Sequence, residues 1–511
     1  MQSKAIPVPW GGVTPSTLVA PLLLAALLFA QVLLGAALRN GPFQDEATFI
    51  YAGRQYVEAL TGGPPVTEEY ARYFAGLPYL QPLALGALAM VGGLEAARAL
   101  STAMLLAVTL GVFLLTRLLF DERSALFAAA VFAFQAPVLF ISRLATYDSG
   151  CLLLLTFAAV MAVGAAHSRG GRGLDLAAGA ALLVAGAFLV KYSALMFVPV
   201  IVALLGAEAW RRAGARRAMV LVATMLAVWA GVAALSFVFL AGSLAQDVRN
   251  GVTFSVSVTR ISPSDVERLL RERFVELTAG LCLLSAAGAL LTARQRPLLA
   301  AVLAGGFLLA PLYHAVRGEM VSLQKHVAYG AIFAAPLAGS ALARWWGSSG
   351  DLGLGIRRVS SGLVICLLAF SGVSGARLLY SEWPDGQSAA EIMRRELTPS
   401  SKVLAEEVEI VRLTAYGLLP DKNWVSTEWV GPSYAWPYPA SRDGATGRTA
   451  MREAIEDGWF DLILFRYGPS NALARELEPV IQGSGRYTEI VRLPYRTRFG
   501  EGQYVLWKRV G

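Results

Sequence analysis

The chain has 511 residues, 56% of them hydrophobic and 16% charged, with a mean hydropathy of +0.53. Soluble domains carry about 25% charged residues, so this composition excludes a soluble globular protein and indicates a polytopic membrane protein. The formal net charge of +8 comes in short basic clusters between apolar runs, without the basic stripe interleaved with aromatics that nucleic acid binding needs.

A membrane-crossing helix needs roughly 20 apolar residues. Runs of this kind lie near 17–38, 99–118, 124–142, 149–166, 174–190, 193–209, 218–241, 275–293, 297–313, 327–343 and 359–376, which predicts eleven spans. The first is too long for a signal-peptide core and lacks a cleavage site, so it reads as a retained span. Leu80 to Gly93 is short and holds Pro82, Gly86, Gly92 and Gly93. It reads as an interfacial or re-entrant piece. With a cytoplasmic amino terminus, every basic cluster then falls inside: Arg117 with Arg123, Arg169 with Arg172, Arg211 to Arg217, Arg294 with Arg296, and Arg344 with Arg357 and Arg358. A twelfth crossing would turn all of them outward.

Directly after the first run come Asp45 and Glu46, followed by a helical pattern with an aromatic face that Gly62-Gly63-Pro64-Pro65 ends. A second acid, Asp148, sits in a short turn between two apolar runs. Acids at such places are neutralised, bound to a cation or turned to a wet cavity. Lys191 interrupts another run, and Lys325-His326 opens a span. Lys191 can snorkel to the interface or hold an anion. Asp148 can cap its helix, pair with Arg143, or take part in chemistry. The cysteines Cys151, Cys282 and Cys366 are scattered in apolar runs, so neither a disulfide nor a Cys metal site is expected. Asp45, Glu46 and Asp148 are hard oxygen ligands for a divalent cation if one is needed. No phosphate-binding glycine loop or HExxH is present.

After Arg377 the chain turns charged and rich in Trp and Tyr. Residues 401–405, 460–465 and 503–507 read as strands, 389–397 and 449–457 as helices. Residues 379–511 are therefore expected to form a small extracytoplasmic α/β domain, and 1–378 the membrane domain.

The acidic pair after the first span, Gly76-Leu77-Pro78-Tyr79-Leu80-Gln81-Pro82, the Gly93 to Arg98 turn, Leu115-Thr116-Arg117, the Asp148 turn and Lys191-Tyr192 follow one another in a telling order. Together they resemble the GT-C membrane glycosyltransferases, specifically the protein O-mannosyltransferase and lipid A aminoarabinose transferase superfamily, the family 39-like group. The resemblance implies a GT-C fold, a polyprenyl-phosphate sugar donor, a lipid, glycan or protein acceptor, and inversion at the anomeric carbon. The abundance of Ala, Gly, Leu and Arg points to a bacterium and so to a bacterial plasma membrane, and the basic clusters place the two acidic sites on its outer face. Aminoarabinose transferases carry a lysine where this chain has Leu80-Gln81-Pro82, so a lipid A or cell-wall glycan sugar transfer needs its phosphate cation elsewhere. Arg143, Lys191, Lys325 and His326 are the candidates, with Asp45 as base and Glu46 and Asp148 beside it. A transporter or a non-catalytic scaffold is the rival reading. No internal repeat is visible, and the polar groups lie at span ends rather than mid-membrane, unlike transporters.

Overall fold

The computed structural model describes residues 15–239, 245–250, 261–320, 322–347, 354–431, 434–469 and 471–510. The protein is a polytopic helical membrane protein with a small sheet domain at its C-terminal end. Among the described residues nine helices are long and apolar enough to cross a membrane. A tenth arises if α4 (Glu122–Ala133) and α5 (Ala136–Ser142), bent by 68°, count as one broken span. The bend falls at Phe134 and Gln135, and Pro137 follows in the first turn of α5, where its ring is incompatible with a helix continued from α4. The long helix α8 (Val198–Phe239) breaks at Gly214, where φ is 81°. Val222 lies against Gly206 across the break, so the two halves fold back on each other. They are the sixth and seventh expected runs, which accounts for eleven; residues 240 and 241 of the seventh lie outside the described residues.

The remaining spans are α1 (Pro15–Ala36), α3 (Gln81–Leu119), α6 (Asp148–His167), α7 (Gly171–Val190), α10 (Glu276–Ala293), α11 (Pro297–Arg317), α12 (Leu323–Trp346) and α13 (Leu354–Tyr380). A short helix α9 (Pro263–Leu270) precedes α10. Helix α12 is the axis of the bundle, its apolar window 100% buried, whereas those of α1 and α13 are only 17% buried. Small residues on α12 permit this, since Gly339 and Gly330 press on the backbones of α4 and α11. The basic clusters meet at one end of the bundle: Arg296 reaches the Leu119 carbonyl, and Arg217 that of Gly170. The other end carries α2 (Gln44–Leu60) and the C-terminal domain.

The piece from Leu80 to Gly93 is helical and runs into the next span, with the chain bent at Gly92 and Gly93. It lies flat on α2. A Cβ on Gly53 would sit 1.9 Å from the Pro82 carbonyl oxygen, and one on Gly86 2.2 Å from the Gly53 carbonyl carbon. Only glycine allows two backbones so close.

The C-terminal domain contains a five-stranded mixed sheet in the order β2-β1-β5-β7-β6. Its strands are β1 (Val403–Ala405), β2 (Trp424–Ser426), β5 (Leu462–Tyr467), β6 (Tyr487–Thr497) and β7 (Gly500–Arg509). A separate hairpin joins β3 (Val430–Gly431) to β4 (Tyr434–Ala435). Helices α14 (Gln387–Glu396), α15 (Val408–Thr414), α16 (Gly447–Glu456) and α17 (Ala472–Ser484) cover the sheet. Ala47 of α2 enters the core formed by Val408, Val411 and Leu419, so the domain is seated on the membrane helices through α2. Gly86→Ala is expected to destabilise the protein by roughly 1–3 kcal/mol through overpacking, whereas Gly231→Ala, which meets nothing within 4 Å, should not. Thermal melting in detergent distinguishes them, and equal midpoints would contradict the close approach.

Candidate functional site

Helix α2 begins with a capping arrangement. Glu46, its third residue, reaches back to accept from the Phe43 amide at 2.9 Å. The rest of that carboxylate is also engaged. Arg98 donates to it twice, Nε to Oε1 at 2.9 Å and Nη2 to Oε2 at 2.7 Å, and the Ala145 amide donates at 2.8 Å. Arg98 further caps the carbonyls of Asn40 and Gly41 at 3.0 and 3.1 Å. Both side chains are buried. One ion pair thus pins the start of α2, the bend of α3 and the turn before α6. Arg143 takes part from outside, through a 2.5 Å contact to Glu95.

That clamp orients its neighbour. Asp45 points the other way, 47% exposed, with Oδ2 2.7 Å from the Lys325 ammonium. Asp148 is fully buried at the first turn of α6. The N-cap position is Tyr147, not Asp148; Oδ1 of Asp148 takes Lys191 Nζ at 2.5 Å and the Tyr329 hydroxyl at 3.0 Å, and its Oδ2 takes Thr146 at 3.2 Å. Lys191 does not snorkel. It is 3% exposed and turns inward over the Tyr147 ring.

The backbone explains why. Helix α7 ends at Lys191, which is extended (φ −151°, ψ 121°). The segment 75–77 pairs with this break: the Leu77 amide donates to the Leu189 carbonyl, and the Tyr192 amide to that of Ala75, each at 2.8 Å. A Cβ on Gly76 would sit 1.9 Å from the Val190 oxygen. The lysine is thereby fixed by a strand-like stitch rather than by a helix. His326 stands next to Lys325 and hydrogen-bonds His314. Among the described residues Asp45, Glu46 and Asp148 belong to no cluster of three acids, cysteines or histidines placed to hold a metal ion. Each is paired instead with a lysine or an arginine.

A cavity of about 270 Å³ opens on Asp45. Its walls come from α2, from the loop bearing Tyr73 and Phe74, and from the C-terminal domain through Glu409, Arg412, Glu428 and Trp429. Arg412 bridges Glu68 and Asp421 and stacks on Tyr51. Glu409 is different: its Oε2 is shut from solvent without a hydrogen-bond partner among the described residues. Burial, aided by the charge of Glu428, pushes its carboxyl up to about 8. A second cavity, about 510 Å³, is apolar and runs past Phe188, Leu189, Leu195 and Trp229 to Arg249.

Comparison with known proteins adds three findings. Residues 77–237 match the family model described as dolichyl-phosphate-mannose-protein mannosyltransferase. ArnT from Cupriavidus metallidurans in the apo state superposes with a TM-score of 0.59 at 14% identity, covering 96% of this chain and 98% of that one. The Archaeoglobus fulgidus oligosaccharyltransferase also gives 0.59, at 12% identity over 95% of this chain and 74% of that one. The chain has the GT-C fold of these structures, and the family model covers residues 77–237 of its 511. ArnT bound to undecaprenyl phosphate gives a TM-score of 0.57 at 13% identity, covering 95% and 97%. No curated protein matches the chain by sequence.

The GT-C bundle brings Asp45, Asp148, Lys191, Lys325 and His326 to one end and leaves Arg143 on the clamp. Sequence reasoning did not find Arg98, Tyr329, His314 or the Glu409–Arg412 pair. For Arg98 the signal was present, a cation three residues after Glu95 in an apolar stretch. Glu409 gives no such signal, because its burial comes from docking. A raised carboxyl pKa means stability that is complete below the unfolded carboxylate range and lost as pH rises through the folded value. Melting midpoints should accordingly fall between about pH 5 and 8, and Glu409→Gln should flatten part of that decline and melt higher at pH 8. An unchanged profile would show that Glu409 ionises normally.

Proposed function

We propose that the protein is an integral membrane glycosyltransferase. It moves a sugar from a polyprenyl-phosphate donor to an acceptor hydroxyl on the outer face of a bacterial plasma membrane, with inversion. The observation that carries this reading is the pair of buried ammonium groups, Lys191 and Lys325, each beside a carboxylate at the end of the bundle where the two cavities lie. Among the described residues each ammonium meets one carboxylate acceptor. An ammonium has three donors, so both retain N–H groups for a phosphate. The relatives supply the ligand type: one ArnT structure is described as bound to undecaprenyl phosphate, and an archaeal oligosaccharyltransferase as complexed with an inhibitory peptide and a dolichol phosphate.

The parts divide the work. The apolar groove flanking Lys191 takes the lipid chain, with Arg249 at its polar end. The cavity over Asp45 takes the sugar and acceptor, where aromatic rings and carboxylates suit a polyhydroxyl ligand. Asp45, half exposed, is the base that removes the acceptor proton. Lys191 and Lys325 stabilise the charge that builds on the departing phosphate. Asp148 holds Lys191 in place, and Glu46 holds the turn that presents Asp45; both act as positioning residues. A divalent cation has no dedicated place in this scheme.

Asp45→Asn should lower transfer by about 10²–10⁴-fold, the range for loss of a general base, with polyprenyl-phosphate binding kept; near-normal turnover would refute the base. Lys191→Met alone strands the buried Asp148 carboxylate, at a cost of about 3–5 kcal/mol. The informative variant therefore pairs it with Asp148→Asn. That double variant should fold and lose donor affinity, and retained affinity would move the phosphate site. For orientation, Ser400→Cys in the C-terminal domain should react with an impermeant thiol reagent in intact cells of a strain lacking the native cysteines, and Ala215→Cys should not. Labelling at 215 would invert the topology.

A further inference from the structure

The rings of His314 and His326 meet where α11 turns into α12. His314 is fully buried and His326 is 8% exposed. Nε2 of His314 lies 2.8 Å from Nδ1 of His326, and Nδ1 of His314 lies 2.6 Å from the Glu319 carbonyl oxygen. A carbonyl oxygen only accepts, so Nδ1 of His314 carries a hydrogen. In neutral His314 the other nitrogen, Nε2, is then the acceptor. The hydrogen between the rings belongs to Nδ1 of His326, and Nε2 of His326 is left as a bare lone pair. That atom is shut from solvent and has no hydrogen-bond partner among the described residues. A buried acceptor without a donor is unfavourable, and a ligand that donates to it would remove that loss. The charges of Lys191, Asp148 and Lys325 act on His326, with His314 beside it; the Glu319 carboxylate lies 3.5 Å from His314 Nδ1, and the Tyr329 ring packs edge-on against His326 at 5.7 Å.

We propose that His326 Nε2 is the proton acceptor of the lipid-phosphate site and that His314 is its positioning residue. This rests on the glycosyl transfer proposed above. In that transfer the acceptor oxygen bonds to the anomeric carbon, and the bond from that carbon to the phosphate oxygen breaks. The electron pair leaves with the phosphate, which passes from one negative charge to two. The acceptor hydroxyl releases one proton to Asp45, and Asp45 returns it to solvent. In the product complex one proton, taken up from solvent, is held on His326 Nε2, facing the new charge. No ring has to turn, because Nδ1 keeps its hydrogen bond to His314 in both states. The imidazolium then adds a donor to the phosphate that the donor lipid, with one charge less, does not call for. This makes the third cation specific to the state in which charge has developed.

The test is calorimetric binding of a short-chain polyprenyl phosphate to the full-length protein in detergent at pH 8, in two buffers of different ionisation enthalpy. At this pH the free phosphate monoester is a dianion, with a second pKa of about 6, and an ordinary histidine, of pKa about 6.5, is neutral. The wild-type protein should take up close to one proton per lipid. His326→Gln offers an amide donor that needs no proton, so it should bind the lipid with little uptake; His326→Asn serves the same comparison if the first variant does not fold. His314→Leu should lower the uptake, and His314→Gln, whose amide oxygen still accepts from Nδ1, should restore it. A purely structural role for His314 would not give that order. Equal uptake in the wild type and the His326 variants overturns the assignment of His326 while leaving the transferase reading intact. Failure of the wild-type protein to bind the lipid overturns both.

Discussion

Everything at the domain-bearing end of the bundle depends on the buried pair of Glu46 and Arg98. Removing one partner of such a pair typically costs about 3–5 kcal/mol, because a charge is stranded in a low-dielectric interior. Here the strain would not stay local. The same guanidinium holds the Asn40 and Gly41 carbonyls, and the same carboxylate holds the Phe43 and Ala145 amides. The start of α2, the bend of α3 and the turn before α6 share one set of hydrogen bonds. Asp45 and Asp148 are carried by two of those three elements, so their spacing is set by a residue pair that touches neither.

Much of this was legible in the sequence, because a membrane enforces it. Runs of about 20 apolar residues have few alternatives to a helix, and an acid at a span end demands an explanation. Asp45, Asp148, Lys191 and Lys325 stand out for that reason, and the bundle brings them together. The strands at 403–405, 462–467 and 500–509 and the helices at 387–396 and 447–456 were also visible as apolar runs and amphipathic stretches. The charge pairing was not. Glu46 and Asp45 are adjacent and chemically alike, yet one is saturated by four N–H donors and the other faces a cavity. Only the direction of the helix separates them. Lys191 read equally well as a snorkelling side chain, since nothing local discloses that segment 75–77 breaks its helix. Strand β2 is only three residues long, and β6 is mixed in character and largely exposed, so their pattern is weak.

The site rests as two neutral couples, Asp45 with Lys325 and Asp148 with Lys191. The couples differ in solvent access. Asp148 is sealed and bonded to three groups, which suits a fixed support. Asp45 is half open and bonded to Lys325, so its position can respond to what enters the cavity. Aromatic contacts stiffen the surroundings: Phe49 stacks on Phe74 at 4.5 Å and meets Tyr147 edge-on at 4.6 Å. The C-terminal domain closes the same cavity through Glu409 and Arg412, and its seat on α2 is also the route by which its movement would reach Asp45.

The stitch between segment 75–77 and the break at Lys191 has a consequence for how the protein is made. Its two halves lie far apart in the chain, as do the partners of each acid. During synthesis Asp45 emerges long before Lys325, and Asp148 reaches the membrane one helix ahead of Lys191. A nascent chain therefore holds these carboxylates without their cations until later helices arrive, and segment 75–77 lacks its partner until α7 has ended. Assembly of the centre is forced into an order, amino-terminal acids first and carboxy-terminal cavity wall last. A chain halted midway lacks the cations that these carboxylates pair with in the finished fold.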